Sequence, residues 1–370
     1  KSGKISLLIC NKCKLVQLDK NFNLNYLYNK DYGYRSGINK TMKDHLKKTA
    51  EKIEKLYLLR KNDLVLDIAS NDGTLLNSYK NKKIIKIGID PILNKFKQKY
   101  KNIDFKFANF FDLKKLNHKI FRKKFKVITA LSVFYDLKNP NLFLKDITKI
   151  LDQDGIIVLE FADLGSILKN NMFDTICHEH LEYYSINVIR KMLKKHGLKI
   201  FNYNINNING GSSVFYICFE KNKNRPQFKD LNKIISLESK LRLDKIQTYK
   251  KFFKKIKYLK NDTIKKLDKI LKKNKIIHGY GASTKGNVLL QFFELNKHFK
   301  YISDRNPEKN GLQTPGTNIK IISEKQSRDL SPDYYFVLPW HFKKEILLRE
   351  KGMRLKGTKF IFPLPKFEII

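Results

Sequence analysis

The stretch VLDIASNDGTLL, Val65–Leu76, fixes how the rest of the chain is read. A run of branched apolar residues ends at Asp67, a turn of small and polar residues follows, and Gly73 opens a helix. In an open α/β sheet, ligands sit at the carboxyl ends of the strands, beside such a first turn. Gly73 allows a close backbone approach, while Ala69, Ser70 and Asn71 keep the loop small and polar. Further on, IGIDPI places Asp90 at the end of a second strand, where a carboxylate can accept both hydroxyls of a ribose. A dinucleotide needs G-x-G-x-x-G so that its pyrophosphate can rest on a helix N-terminus. This loop has one glycine and two acids, Asp67 and Asp72, which repel a pyrophosphate. They suit a cationic nucleoside that carries an amino acid, S-adenosylmethionine. The competing reading is that Asp67 and Asp72 only cap a helix.

Working outward, LVLDIAS, IIKIGID, FKVITAL and GIIVLEF are apolar runs of strand length, the pattern of parallel strands covered on both faces. Residues 40–59, KTMKDHLKKTAEKIEKLYLL, carry apolar residues at helical spacing. Strands alternating with helices predict a doubly wound, Rossmann-like α/β domain over residues 40–220. Asn109 and Phe110, after a third strand, are candidates to hold an adenine, and Ser132 in ALSVFYDL follows the fourth strand. Residues 221–274 are rich in lysine and predict solvated connecting helices. After them KIIHGYGAS, FKYISDR, DYYFVLPW and KFIFPLP predict a second, smaller parallel sheet over residues 275–370. Residues 1–39 form a separate N-terminal module containing Cys10-x-x-Cys13.

The chain has 370 residues with 76 Lys+Arg against 35 Asp+Glu, a net charge of +41. Such a charge raises nucleic acid as a partner. The lysines, however, are spread through every segment among asparagines and isoleucines, as a compositional bias and not as a stripe. Neither a nucleic-acid partner nor a membrane partner is expected, because no apolar run approaches the ~20 residues that span a bilayer. Four cysteines without paired secretory spacing place the protein in the cytoplasm.

The segment DTICHEHLEYYS, Asp174–Ser185, gathers His178, Glu179, His180 and Glu182. It is not H-E-x-x-H, and two histidines two residues apart diverge on a helix, so a zinc-peptidase site is disfavoured. A histidine beside a carboxylate suits proton abstraction near neutral pH. In HGYGASTKGN, His278–Asn287, Lys285 offers a cation for a diphosphate beside glycines that permit close approach. Together with the CxxC followed by LVQL, YGYRSGINKTM at Tyr32–Met42, FYDL, NINGGSS at Asn207–Ser213, SDRNPEKNG, TPGT, VLPWHFKKEIL and FIFPLP, these motifs run nearly end to end. In this the sequence resembles the nucleotide-sugar C-methyltransferases that act on 4-keto deoxysugars.

The resemblance implies a small zinc-ribbon-like module, a central S-adenosylmethionine domain and a C-terminal α/β domain that helps enclose a sugar nucleotide. It implies a base, His180 with Glu179 and His178 beside it, that removes the proton next to the 4-keto group so that the enolate takes the methyl. Tyr32, Tyr34, Lys285, Asn287, Trp340 and His341 are the corresponding candidates for substrate binding. Two departures stand out. Some relatives carry Tyr where this chain has Cys177, which leaves Tyr183 or Tyr184 as substitutes. The family's zinc module has two CxxC pairs, and here Cys10 and Cys13 are one; a tetrahedral site wants four ligands. A truncated N-terminus that has lost the other pair is the expectation, with structural zinc conditional on it. The partner expected is a small-molecule sugar nucleotide, with the protein a monomer or homodimer. An O- or N-methyltransferase acting on another small molecule is the alternative.

Overall fold

A computed structural model of the chain describes residues 3–28, 32–225 and 231–370. They form two compact units. The first holds Leu7–Leu164 and Glu179–Leu241; the second holds Gly165–His178 and Arg242–Ile370 with the chain up to Ser6.

The strands of the first unit are β1 (Leu7–Ile9), β2 (Val16–Leu18), β3 (Leu64–Ile68), β4 (Ile85–Ile89), β5 (Phe105–Phe107), β6 (Phe125–Leu131), β7 (Leu151–Phe161), β8 (Glu182–Tyr183), β9 (Leu198–Asn206) and β10 (Ser212–Phe219). Seven of them make one sheet in the order β5-β4-β3-β6-β7-β10-β9. β10 pairs antiparallel with both its neighbours, and the other pairings in this sheet are parallel. This is a Rossmann-like, doubly wound arrangement whose order reverses between β3 and β6, so a crevice opens at their carboxyl ends. Both faces of the sheet are buried. Along β3, Leu64, Leu66 and Ile68 join one apolar cluster and Val65 the other, the two-residue period of a strand. The helix Lys40–Leu56 covers the Val65 face with Met42, Leu46, Ala50 and Ile53. It stops three residues before the 40–59 pattern ends, because Tyr57 turns extended.

β1, β2 and β8 form a small antiparallel sheet, in which Val16 pairs with Tyr183. The N-terminal hairpin is therefore part of the first unit and not a module apart, and it anchors the chain just after the His-Glu-His triplet. The lysine-rich connector is likewise divided. The helix Leu231–Lys240 belongs to the first unit, where the Glu238 carboxylate accepts the N–H groups of Ile186 and Asn187 at 2.7 and 3.1 Å. That caps the helix Ile186–Lys195. The helix Ile246–Leu271 belongs to the second unit and buries Ile256, Leu259, Leu267 and Ile270.

The second unit has β11 (Ile277–Tyr280), β12 (Ile302–Asp304), β13 (Ile321–Ser323), β14 (Tyr334–Val337), β15 (Lys359–Phe362) and β16 (Glu368–Ile369), in the order β13-β12-β11-β14-β15-β16. All pairings are parallel except that of β16. The segment Gly165–His178 joins this unit because Phe173 stacks on Phe293 at 5.0 Å and lies 5.4 Å from Phe292. That places residues of the 40–220 stretch in the second unit.

His278, on β11, is buried, with Nδ1 2.8 Å from Ser327 Oγ. Burial, helped by the Lys300 charge, holds its pKa down to about 4. The unfolded imidazole titrates near 6.5, so between those values the unfolded chain binds the proton and the folded one does not. Its contribution is complete above pH ~6.5 and is lost as pH falls towards 4, at most about 3 kcal/mol. Thermal denaturation at pH 7 and pH 4.5 should show a smaller loss of melting temperature in His278→Gln than in the wild type; equal losses would remove His278 as the cause.

Candidate active site

The first turn after β3 is held in a conformation that ordinary residues avoid. Ala69, Asn71 and Gly73 have φ of 58°, 49° and 73°. For the two non-glycine residues this costs roughly 1–2 kcal/mol each, and the surroundings impose it. Ser70 N–H donates to Ile89 O at 3.1 Å, and Asn71 N–H to Asp90 Oδ2 at 2.8 Å. Tyr100 OH lies 2.8 Å from Ser70 Oγ and donates to Asn71 O at 2.7 Å. Strain stored in a ligand loop marks a preorganised site. Asp90 follows β4 and also accepts Ile92 N–H at 2.8 Å, so each oxygen retains lone pairs for a ribose. Burial raises its pKa. Asp67, by contrast, accepts Thr129 Oγ1 at 2.5 Å within the sheet, and burial pushes it up to about 7.

The tyrosine-rich segment lies on this loop. Ser36 N–H donates to Asn71 Oδ1 and Gly37 N–H to Asp72 Oδ2, both at 2.9 Å, while Asn71 Nδ2 donates to Tyr34 O at 3.3 Å. A Cβ on Gly37 would stand 2.7 Å from Asp72 Oδ2, so glycine is what allows this contact. The motif singled out Tyr32 and Tyr34, and Gly37 beside them escaped notice. Tyr34 is exposed, whereas Tyr32 is half-buried and receives Lys95 Nζ on its carbonyl at 3.1 Å. Asn109 and Phe110 follow β5 and are exposed, Phe110 lying edge-on to Tyr28 at 6.3 Å.

At the ends of β6 and β7 stands a polar group that spacing did not reveal. Ser132 has φ 57°, and its N–H donates to Glu160 O at 2.7 Å. Glu160 Oε2 lies 2.7 Å from His45 Nε2, and its Oε1 accepts Asn206 Nδ2 at 2.8 Å. Asp136 is buried, and its Oδ2 accepts Tyr28 OH at 2.8 Å. Burial, with Glu179 adding its negative charge, holds the Asp136 carboxyl well above the usual carboxylate range. Tyr28 and Tyr32 pack at 5.0 Å, and both phenols are raised by burial together with Asp136 and Glu179.

His180 belongs to the same unit. Its ring lies 4.3 Å from that of Tyr135, and its carbonyl accepts Tyr183 OH at 3.0 Å. The next residue is clamped twice: Leu181 N–H donates to Tyr135 O and Leu18 N–H to Leu181 O, each at 2.8 Å. Tyr184 is fully buried and donates to Glu182, whose carboxyl is pushed up to about 7 by burial. The structure therefore brings Glu179 to Asp136, Tyr28 and Tyr32, and His180 onto Tyr135, the neighbour of Asp136 in the chain. His178 is held in the second unit, donating from Nε2 to Gly3 O at 2.8 Å.

The second unit gathers its own polar residues where its strand order reverses, between β11 and β14. Trp340 Nε1 donates to Asp174 Oδ2 at 2.9 Å, and Lys285 Nζ lies 3.8 Å from the same oxygen. Among the described residues, Asn287 Oδ1 and His341 Nδ1 are buried without a hydrogen-bond partner. Gly281, with φ 84°, is required here, since a Cβ would stand 2.7 Å from Pro339. Cys177 is buried in this unit.

The zinc expectation finds no support. Cys10 and Cys13 sit in the β1–β2 turn, where the N–H groups of Cys13 and Lys12 hold the Cys10 thiol down to about 7. Two thiols give half of a tetrahedral set, and among the described residues no group of three or more His, Cys, Asp or Glu could hold a metal. Among the same residues no helix is long and apolar enough to cross a membrane.

Residues 34–202 match the methyltransferase domain, and residues 207–365 match the C-methyltransferase C-terminal domain. The C-methyltransferase NovU of Streptomyces niveus is 25% identical over 374 residues, covering 99% of this chain and 87% of that protein. Among solved structures, an S-adenosylmethionine-dependent methyltransferase of Clostridium acetobutylicum ATCC 824 aligns at 12% identity and a TM-score of 0.38, over 48% of this chain and 91% of its own. Magnesium protoporphyrin IX methyltransferase of Synechocystis PCC 6803, with bound S-adenosylhomocysteine, aligns at 16% and 0.38, over 51% and 90%. With a methyltransferase domain and a C-methyltransferase C-terminal domain both matched, and a C-methyltransferase related along nearly its whole length, the chain is an S-adenosylmethionine-dependent methyltransferase similar to the C-methyltransferases.

Proposed function

We propose that the enzyme methylates the carbon next to the keto group of a 4-keto-deoxy nucleotide sugar. The observation that carries the reading is the placing of His180 on Tyr135 and of Glu179 beside Asp136 and Tyr28, after the end of β6. Carbon becomes a nucleophile only when a base removes its proton and a neighbouring carbonyl accepts the charge, so such a site needs a base and hydrogen-bond donors. His180 serves as the base and Glu179 as its neighbouring carboxylate. Asp90, Asn71 and the strained first turn would hold S-adenosylmethionine, with Asp90 on the ribose. When bound, that cofactor supplies an electrophilic methyl group on a sulfonium. The nucleotide part of the reading is supported by the family resemblance. Four cysteines without paired secretory spacing fit a cytoplasmic enzyme.

Incubation with S-adenosylmethionine and a panel of 4-keto-6-deoxy nucleotide sugars, read by fragment mass spectrometry, should show one added methyl on a sugar carbon. A methyl found only on oxygen or nitrogen would replace this reading with the alternative.

A further inference from the structure

Asp136 is only 8% exposed. Its Oδ2 accepts one hydrogen bond, from Tyr28 OH at 2.8 Å, and its Oδ1 is buried without any partner among the described residues. Buried polar atoms are nearly always hydrogen-bonded, and one that is not calls for a ligand or a functional reason. The titratable groups facing it are Tyr28 and Tyr32 from the N-terminal segment and Glu179 from the His-Glu-His triplet, with His180 packed on the adjoining Tyr135. None of these is a cation that would favour a carboxylate at neutral pH, except His180 once it has taken a proton.

We propose that Asp136 is a further catalytic residue: a neutral carboxylic acid whose Oδ1–H donates a hydrogen bond to the substrate's keto oxygen as that oxygen becomes an enolate. The inference rests on the reaction proposed above. The step balances within the pair of residues. His180 takes the proton from carbon, the C–H electron pair forms the C=C bond, and the carbonyl π pair moves to oxygen, where Asp136 holds it. Tyr28, donating to Oδ2, fixes which oxygen carries the proton and so aims the donor. Burial, and then Glu179, raise the affinity of Asp136 for its proton against the opposing Tyr28 bond, which favours the acid form.

The test compares wild type, Asp136→Ala and Asp136→Asn with a 4-keto sugar that the wild type methylates, and with S-adenosylmethionine binding measured by calorimetry. Asparagine keeps an acceptor for Tyr28 and a neutral donor. Asp136→Ala should therefore lose about 10²–10³-fold in kcat with cofactor binding unchanged. Asp136→Asn should stay within about tenfold of wild type, and it should lose the fall in kcat that the wild type shows as rising pH ionises Asp136. If Asp136→Ala binds no cofactor, the Asn variant decides alone. Asparagine as inactive as alanine, an unchanged fall with rising pH, or near-normal kcat in Asp136→Ala would each overturn the proposal. These outcomes are read in the variants, whereas failure of the reaction reading appears in the wild type, as absence of C-methylation on every sugar tried.

Discussion

His180→Ala lowers kcat about 10²–10⁴-fold, the usual worth of a positioned general base, while S-adenosylmethionine binding stays within about twofold. The residue lies on the segment fastened by Leu181 to Tyr135 and to β2, and its side chain holds none of the hydrogen bonds of the Ala69–Gly73 turn. Those fastenings are made by the backbone and survive truncation of the side chain. Loss of turnover without loss of the cofactor is thus the signature of a group acting on the second substrate. Equal loss of both would reveal a structural role, and undiminished kcat would pass the base role to another residue. The same substitution should stop solvent deuterium entering the sugar, because exchange needs the base but not the methyl donor.

Asp90→Ala should weaken S-adenosylmethionine binding about 100-fold, near 2.7 kcal/mol. Two losses combine. The carboxylate's hydrogen bonds to ribose hydroxyls disappear, each charge-assisted and worth roughly 1.5–3 kcal/mol. The Asn71 and Ile92 N–H groups also lose their acceptor, and the left-handed Asn71 relaxes. Calorimetry of the variant at several cofactor concentrations measures this directly. Unchanged affinity would show that the ribose is held elsewhere. Asp67→Asn should weaken binding much less, since Asp67 spends its hydrogen bonding on Thr129 inside the sheet.

Parallel strands could be read from sequence where a mostly apolar run is buried on both faces, as in LVLDI of β3, KVITAL of β6 and IIVLEF of β7. β9 and β10 carry asparagines and serines among their apolar residues, and β1, β2 and β8 span two or three residues, too short for a period to emerge. The cofactor loop was legible because its chemistry is local, an acid and a glycine at fixed offsets from a strand. The rest of the site is not local. Tyr28 meets Asp136 across 108 residues and His45 meets Glu160 across 115, and no spacing rule links them. FYDL stands out for its place after β6, and nothing in its spacing marks the acid within it as buried. Likewise Gly37 looks like a turn residue until Asp72 is seen against it. The zinc expectation comes from resemblance, and among the described residues no group of His, Cys, Asp or Glu supports it.

Everything in this account turns on the formation of a carbanion next to a ketone. The most direct measurement is to incubate the wild-type protein with 4-keto-6-deoxy nucleotide sugars in deuterated water, without S-adenosylmethionine, and to follow deuterium at the carbons beside the keto group by NMR. The account predicts enzyme-dependent uptake at one of those carbons, the same carbon that gains the methyl once the cofactor is added. Methyl transfer to a sugar with no exchange at that carbon, with or without cofactor, would contradict it.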